Sequence, residues 1–395
     1  MALEIIGVVG AGTMGAGIAQ LALEAGHEVV VHDVDEAAFE RGRERVREGL
    51  ARRASKLELD PDSIDDWVDG RLAGLRRAHS LDALGGEAVV VVEAALEDLE
   101  LKRTIFRALD AAAPPDVVLA TNTSALSVAA IASATLHPER VIGLHFFNPA
   151  PVMPLVEVVA PSGAAPAAIE HGFRLVESWG RTSVRSADAP GFIVNRVNRP
   201  FTLEALAILE AGDGSIVAVD AAIRAAGFPM GPFELMDLVG IDVNFAAARA
   251  IWEGFGRTDR FRPSPVQERL VDEGRLGRKS GRGFYRYDEL GRAMVDVDDA
   301  GARDSPEAVG ADAAARIVER ITLAIVNEAW QARGDDVAGT DAIDLALRLG
   351  AAHPVGPFER TARLGGPVAV VESLRRLERF GPRFRPAPAL VDVAG

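Results

Sequence analysis

The chain has no cysteine among its 395 residues. Disulfides, thiolate nucleophiles and cysteine-ligated metals are therefore excluded. Histidine is scarce at seven, and none stands in an HxxxH or HExxH arrangement, which argues against a metal site. No apolar run approaches the roughly 20 residues that a membrane span needs. The first residues enter a strand-like run, Leu3 to Val9, without a basic segment or cleavage site, so a secretory signal is not expected and the cytoplasm is the expected compartment.

Excess positive charge is also missing. The formal net charge is −15, spread along the chain, and leaves no basic footprint for nucleic acid. Lysine is rarer still. Of 43 basic residues only Lys56, Lys102 and Lys279 are lysines. Guanidinium and ammonium groups differ in shape and hydration, so a lysine kept against this bias marks a candidate ligand contact.

What is present is ordinary for a globular protein, 48% apolar and 26% charged, and long enough for two or three domains. Apolar runs at Ile5–Val9, His27–His32, Ala88–Val92, Val117–Ala120, Val141–Leu144 and Leu155–Val159 alternate with helical stretches. That alternation predicts a doubly wound parallel α/β sheet of Rossmann type over residues 1–188. A charged segment, about residues 36–80, reads as a helical insertion standing off the sheet. From Gly191 the texture becomes helices broken by Gly-Pro turns, without further strands, and a polar, acidic stretch near residues 288–307 separates a third segment.

The third segment repeats the second. GPFE at 231–234 returns at 356–359, FRPSP at 261–265 as FRPAP at 384–388, and IVNR at 193–196 as IVER at 317–320. The offset stays between 123 and 125 residues. Two all-α domains that are tandem copies, 189–290 and 306–395, are expected. Glu319 falls where Asn195 stands in the first copy, so the second copy is expected to be structural.

Gly10-Ala-Gly12-Thr13-Met14-Gly15 follows an apolar strand and opens an apolar helix. Glycines there permit a tight turn and let backbone approach a pyrophosphate at the helix N-terminus. Asp33 lies 18 positions after Gly15, where a carboxylate can hold the adenosine ribose hydroxyls. No arginine follows it to accept a 2′-phosphate, which favours NAD over NADP. A helix-capping role for Asp33 is the alternative.

Oxidising an alcohol by hydride loss requires a base for the hydroxyl proton, and histidine suits that task. His145 ends an apolar strand, and Glu157 lies in the next strand, where it could fix the imidazole's tautomer. Asn122-Thr123-Ser124 ends another strand and offers small polar groups to a substrate oxygen.

With these strings on the page, GAGTMGAGIAQ, VVEAALED, NTS, GLHFFNPAPVMPLVEV, DAPGFIVNR, PMGPFELMDLVG and GRKSGRGFY, the sequence resembles the 3-hydroxyacyl-CoA dehydrogenases, including 3-hydroxybutyryl-CoA dehydrogenases, over residues 3 to about 287. The resemblance implies that His145 is the catalytic base, oriented by Glu157, and that Ser124 and Asn195 contact the reacting oxygens. It implies cofactor contacts at Asp33, Glu97, Lys102, Ser124, Asn148 and Lys279, beside the glycine loop, and a CoA contact near Lys56, with Ser124 also facing the substrate. The partners implied are NAD and an acyl-CoA, with no nucleic acid or membrane. The helical domain often mediates dimerisation in this family, so a homodimer, or a pseudo-dimer within one chain, is expected. Ala125 and Pro154 depart from the family's usual NTSS and VMKLVE strings, and both departures could reshape the acyl pocket. Two rival readings are a gulonate-type dehydrogenase related to lens lambda-crystallins and a non-catalytic NAD-binding structural protein. The HFFNP string and Lys56 speak against the first, and the joint presence of His145, Glu157, Ser124 and Asn195 against the second.

Overall fold

In the computed structural model, residues 4–294 and 310–395 are described. The chain divides into two compact units, Met1–Phe192 and Ile193–Gly395.

The first unit is built on eight strands: β1 (Ile5–Val9), β2 (Glu28–His32), β3 (Leu75–Arg77), β4 (Val90–Glu93), β5 (Val118–Thr121), β6 (Val141–Phe146), β7 (Leu155–Ala160) and β8 (Thr182–Ala187). Its helices are α1 (Thr13–Glu24), α2 (Glu36–Lys56), α3 (Ile64–Leu72), α4 (Leu81–Glu87), α5 (Leu99–Ala112), α6 (Val128–Ala132) and α7 (Pro166–Ser178). The strands run in the order β3-β2-β1-β4-β5-β6-β7-β8. Alternate residues of a strand face opposite ways, so each strand feeds two cores. Ile6, Val8, Val90, Val92, Ile142 and Leu144 pack with α1, α2 and α7 on one face. Val9, Val91, Leu119 and Val141 pack with α4, α5 and α6 on the other. The expected doubly wound α/β architecture is therefore present.

Three details differ from the sequence reading. β7 pairs antiparallel with β6, and β8 runs with β7, so the sheet is mostly rather than wholly parallel. The eight residues between β6 and β7 hold no helix, and a parallel return needs a crossover of a dozen or more. The short or polar strands β3 and β8 carry too little apolar periodicity to be read in advance. The segment 36–80 also does not stand off the sheet. Phe39, Val46 and Leu50 of α2 enter the core beside α1, and β3 extends the sheet edge.

The second unit contains α8 (Val194–Val197), α9 (Arg199–Ala211), α10 (Ile216–Ala225), α11 (Pro232–Val239), α12 (Ile241–Gly254), α13 (Pro265–Asp272), α14 (Ala311–Gly334), α15 (Thr340–Gly350), α16 (Pro357–Arg363), α17 (Pro367–Leu377) and α18 (Pro388–Ala394). A hairpin of β9 (Arg286–Tyr287) and β10 (Ala293–Met294) also stands here, where no strand was expected. Most of the acidic stretch near 288–307 lies outside the described residues.

A carboxylate, buried at Asp220 and half-buried at Asp344, caps each of two GPFE turns in the same way. Asp220 accepts from the backbone N–H groups of Phe233 and Glu234, and Asp344 from those of Phe358 and Glu359. Between α8–α9 and α14 the ion pairs are reciprocal. Arg196 donates to Glu328 at 2.8 Å and Arg320 to Glu204 at 2.7 Å, while Arg260 and Arg383 reach the same two carboxylates at 3.1 Å. Among the described residues no helix is long and apolar enough to cross a membrane.

Candidate active site

In an open α/β sheet, ligands gather at the carboxyl ends of the parallel strands. The first unit's candidate residues lie at or beside those ends, except Glu157, which reaches the same edge from antiparallel β7, and Lys56, exposed at the last turn of α2.

The glycine loop shows why glycine is required at two positions. Gly10 has φ +95°, and a Cβ there would sit 2.8 Å from the Ala94 carbonyl oxygen. A Cβ on Gly15 would stand 1.8 Å from the Gly10 carbonyl oxygen, an impossible contact. Gly12 is different. A Cβ there would meet nothing within 4 Å, so the backbone faces open space at the start of α1. Thr13 is exposed beside it, and Met14 half-buried. This cradle, bare of side chains at a helix N-terminus, fits a dinucleotide's pyrophosphate.

Asp33 follows β2 and spans the loop. One carboxylate oxygen accepts from Ala11 N–H at 2.6 Å, the other from Val34 N–H at 2.7 Å. The helix cap is Asp35 instead, which accepts from Ala38 N–H. Asp33 is thus fixed on the glycine loop, with remaining lone pairs free to receive hydroxyls.

Beyond β4 and β5 a polar network shapes the site. Glu97 Oε1 accepts from the Thr123 hydroxyl at 2.6 Å, from Ser124 N–H at 2.9 Å and from Ala125 N–H at 3.1 Å. Beneath it lies Lys102, only 1% exposed, with its ammonium 2.7 Å from Glu93 and 3.4 Å from Glu97. Lys102 was expected among the cofactor contacts. It is placed behind Glu97, because two carboxylates draw the ammonium inward. Asn122, a candidate for the substrate oxygen, commits its side-chain oxygen to Phe146 N–H at 2.9 Å and so ties β5 to β6.

His145 is directly opposite Glu157 in the β6–β7 register. Its Nδ1 lies 2.6 Å from Glu157 Oε2, and its Nε2 lies 3.2 Å from Ser124 Oγ. A carboxylate only accepts, so Nδ1 carries the hydrogen and Nε2 presents its lone pair. The dyad is dry. His145 is 3% exposed and Glu157 0%. Phe147 and Phe192 flank the imidazole, with ring centroids at 4.5 and 5.5 Å. Phe192 has φ +47°, a conformation rare for a residue with a side chain, and such outliers collect at functional sites.

Asn148 is exposed on the turn after β6. Asn195 and Lys279 belong to the second unit, Asn195 on α8 and Lys279 in a turn where its ammonium pairs with Asp242 at 2.6 Å. Sequence reasoning missed Glu93 and Asp188, and it offered Thr123 to a substrate oxygen where its hydroxyl holds Glu97. Asp188 accepts from Ser127 and from two backbone N–H groups, and so caps α6. The available signals were a lone carboxylate closing the apolar run of β4, for Glu93, and an acidic residue two positions before Pro190, for Asp188.

A doubly wound sheet, a bare glycine cradle with its ribose carboxylate, and a buried imidazole–carboxylate pair at the same edge together define a class, the nicotinamide-dinucleotide dehydrogenases. Comparison with known proteins narrows it. The model for "3-hydroxyacyl-CoA dehydrogenase, NAD binding domain" matches residues 5–189, and that for the C-terminal domain matches residues 191–287 and 317–394. The chain belongs to the 3-hydroxyacyl-CoA dehydrogenase family. It is 35% identical to 3-hydroxyadipyl-CoA dehydrogenase of Escherichia coli, covering 98% of this chain and 97% of the relative. It is 39% identical to the mitochondrial hydroxyacyl-coenzyme A dehydrogenase of Rattus norvegicus, covering 72% of this chain and 91% of that protein. Among solved structures, 3-hydroxybutyryl-CoA dehydrogenase from E. coli superposes with a TM-score of 0.87 at 34% identity, covering 100% of this chain and 98% of that one.

Proposed function

We propose that this chain oxidises an L-3-hydroxyacyl-CoA to the 3-ketoacyl-CoA, reversibly, with NAD as its cofactor. The observation that carries the reading is the His145–Glu157 dyad, buried, in register on adjoining strands, with Ser124 on the free imidazole nitrogen. The glycine loop and Asp33 would hold the cofactor, with Glu97, Asn148 and Lys279 as further contacts, and Lys56 would meet the CoA moiety. When bound, NAD⁺ accepts the hydride that leaves C3.

The chain's own residues handle the proton. His145 Nε2 takes the 3-hydroxyl proton, displacing its contact with Ser124, whose hydroxyl then serves the developing carbonyl oxygen together with Asn195. The buried Glu157 carboxylate, on Nδ1, steadies the positive charge that His145 gains. Phe147 and Phe192 keep water from the imidazole. Lys102 acts through Glu97, which holds the Ser124 turn. In reduction of the ketone the protonated imidazole returns its proton.

The matching caps and reciprocal ion pairs support reading 189–290 and 306–395 as tandem copies. On that reading the second copy stands in, within one chain, for a homodimer's partner. A sedimenting species of one chain's mass is expected, and an obligate dimer would count against it.

The test is loss of NADH absorbance with 3-ketoacyl-CoA esters of graded length, with gulonate as the control. His145→Gln should abolish turnover and leave NADH affinity near wild type. Full activity in that variant refutes the assignment.

A further inference from the structure

The second unit contains a cavity of about 450 Å³ that uses none of the residues assigned above to catalysis or cofactor binding. That volume lies in the range of small-molecule sites. Its walls divide by chemistry. Ile208, Ile317 and Leu377 are buried and form an apolar floor. Arg316, Arg376 and Arg379 are exposed at its edge.

The charges in this wall do not cancel. Arg320 is neutralised by Glu204 and Asp213. Arg376 lies 3.6 Å from Glu319. Arg316 and Arg379 have no carboxylate within ion-pair distance among the described residues. Two uncompensated guanidiniums remain, in a chain whose net charge is −15. Arg379 is held in place as well. Phe380 carries Arg320 at 3.9 Å and Arg379 at 4.8 Å from its ring centroid, and aromatic faces restrain such cations. Glu319, where the repeat offset matches Asn195, lines the cavity and brings no amide for a reacting oxygen. The arrangement suits binding, since the cavity's carboxylates, Asp213 and Glu319, are already engaged by Arg320 and Arg376.

We propose that this cavity binds a small amphiphilic anion, with a carboxylate or phosphate head on Arg316 and Arg379 and an apolar tail against Ile208, Ile317 and Leu377. Guanidiniums suit either head, since both offer paired oxygens. The apolar floor selects for the tail.

Equilibrium dialysis of the full chain against labelled decanoate, decyl phosphate and inorganic phosphate tests this, with NAD⁺ and acetoacetyl-CoA saturating the dehydrogenase site. About one equivalent of decanoate or decyl phosphate should bind, and the preferred head identifies the ligand's source. The R316A/R379A pair should weaken binding about tenfold, while R316K/R379K stays within about threefold, because each partly exposed contact is modest. Ala313→Trp, which fills the cavity without changing charge, should abolish binding; melting curves check that each variant folds. Three results overturn the proposal: no saturable binding, decanoate binding that appears only when acetoacetyl-CoA and NAD⁺ are left out, or inorganic phosphate binding as tightly as decyl phosphate.

Discussion

Replacing Glu157 by Gln tests the dyad more sharply than removing His145, because it keeps the shape and deletes one charge. Glu157 is fully buried and sits 2.6 Å from His145 Nδ1. Two opposite unit charges about 4 Å apart attract by about 4 kcal/mol at an effective dielectric of about 20. Part of that returns, since the Gln carbonyl still accepts from Nδ1–H, and a charge-assisted hydrogen bond exceeds a neutral one by about 1–2 kcal/mol. The protonated imidazole should lose roughly 2–4 kcal/mol of support, a fall in kcat of about 30- to 1000-fold. The Gln amide can also rotate and donate to Nδ1, which would place the hydrogen on Nε2 and remove the base. The assay is NADH oxidation by acetoacetyl-CoA at saturation, with NADH affinity measured separately by fluorescence. Affinity should hold, because the loop and Asp33 stand on other strands. Combining Glu157→Gln with His145→Gln should cost little beyond the histidine change alone, as for groups that act as a unit. A Glu157→Gln enzyme within about threefold of wild-type kcat, or losses that multiply in the double variant, would refute the coupling.

Three further outcomes follow from packing and charge. Gly15→Ala should lower NADH affinity by at least about 100-fold, roughly 3 kcal/mol, because the new Cβ meets the Gly10 carbonyl oxygen at 1.8 Å; fluorescence titration reads it directly. Glu328→Ala should cost about 3–5 kcal/mol in urea unfolding, since it strips the buried Arg196 and the nearby Arg260 of a shared carboxylate. His353 is buried against Phe201 and Phe228 with its Nε2 on Asn198, and burial holds its pKa down at about 3. The unfolded chain takes up this proton below its ordinary value of about 6.5, so stability is present above that pH and drains as pH falls toward 3. Between those limits the loss is about 1.4 kcal/mol per pH unit. His353→Phe should be less stable than wild type at pH 7 by about 1 kcal/mol, through the lost hydrogen bond, and should close that gap by pH 5 in denaturant titrations; an unchanged gap rejects the assignment.

Strand positions were legible wherever apolar residues ran unbroken. β1, β2 and β4–β7 fall within a few residues of the runs that announced them, because strands buried on both faces need side chains that tolerate no water. β3 and β8 were invisible for the complementary reason. Leu75–Arg77 and Thr182–Ala187 lie near the two edges of the sheet, where half of each strand is wet and polar residues are allowed. Strand direction was not written in composition at all. The antiparallel turn to β7 follows from the length of the intervening segment, and that same turn brings Glu157 against His145.

The site was legible as individual residues and illegible as a network. His145, Glu157, Ser124, Asp33 and the glycines announce themselves by type and position, but the couplings between them depend on three dimensions. A single polar chain runs by an ion pair from Lys102 to Glu97, and then by hydrogen bonds from Glu97 to the Ser124 turn, from Ser124 Oγ to His145 Nε2, and from His145 Nδ1 to Glu157. Its two ends lie 55 positions apart in sequence, and no spacing rule links them. Lys102 therefore read as a ligand contact when its ammonium is buried on two carboxylates. Removing such an ammonium leaves Glu93 and Glu97 facing each other without a counter-charge, and Glu97 would swing outward and release the Ser124 turn. The cost would then appear in the placement of the hydroxyl on His145, a position with no direct contact to Lys102.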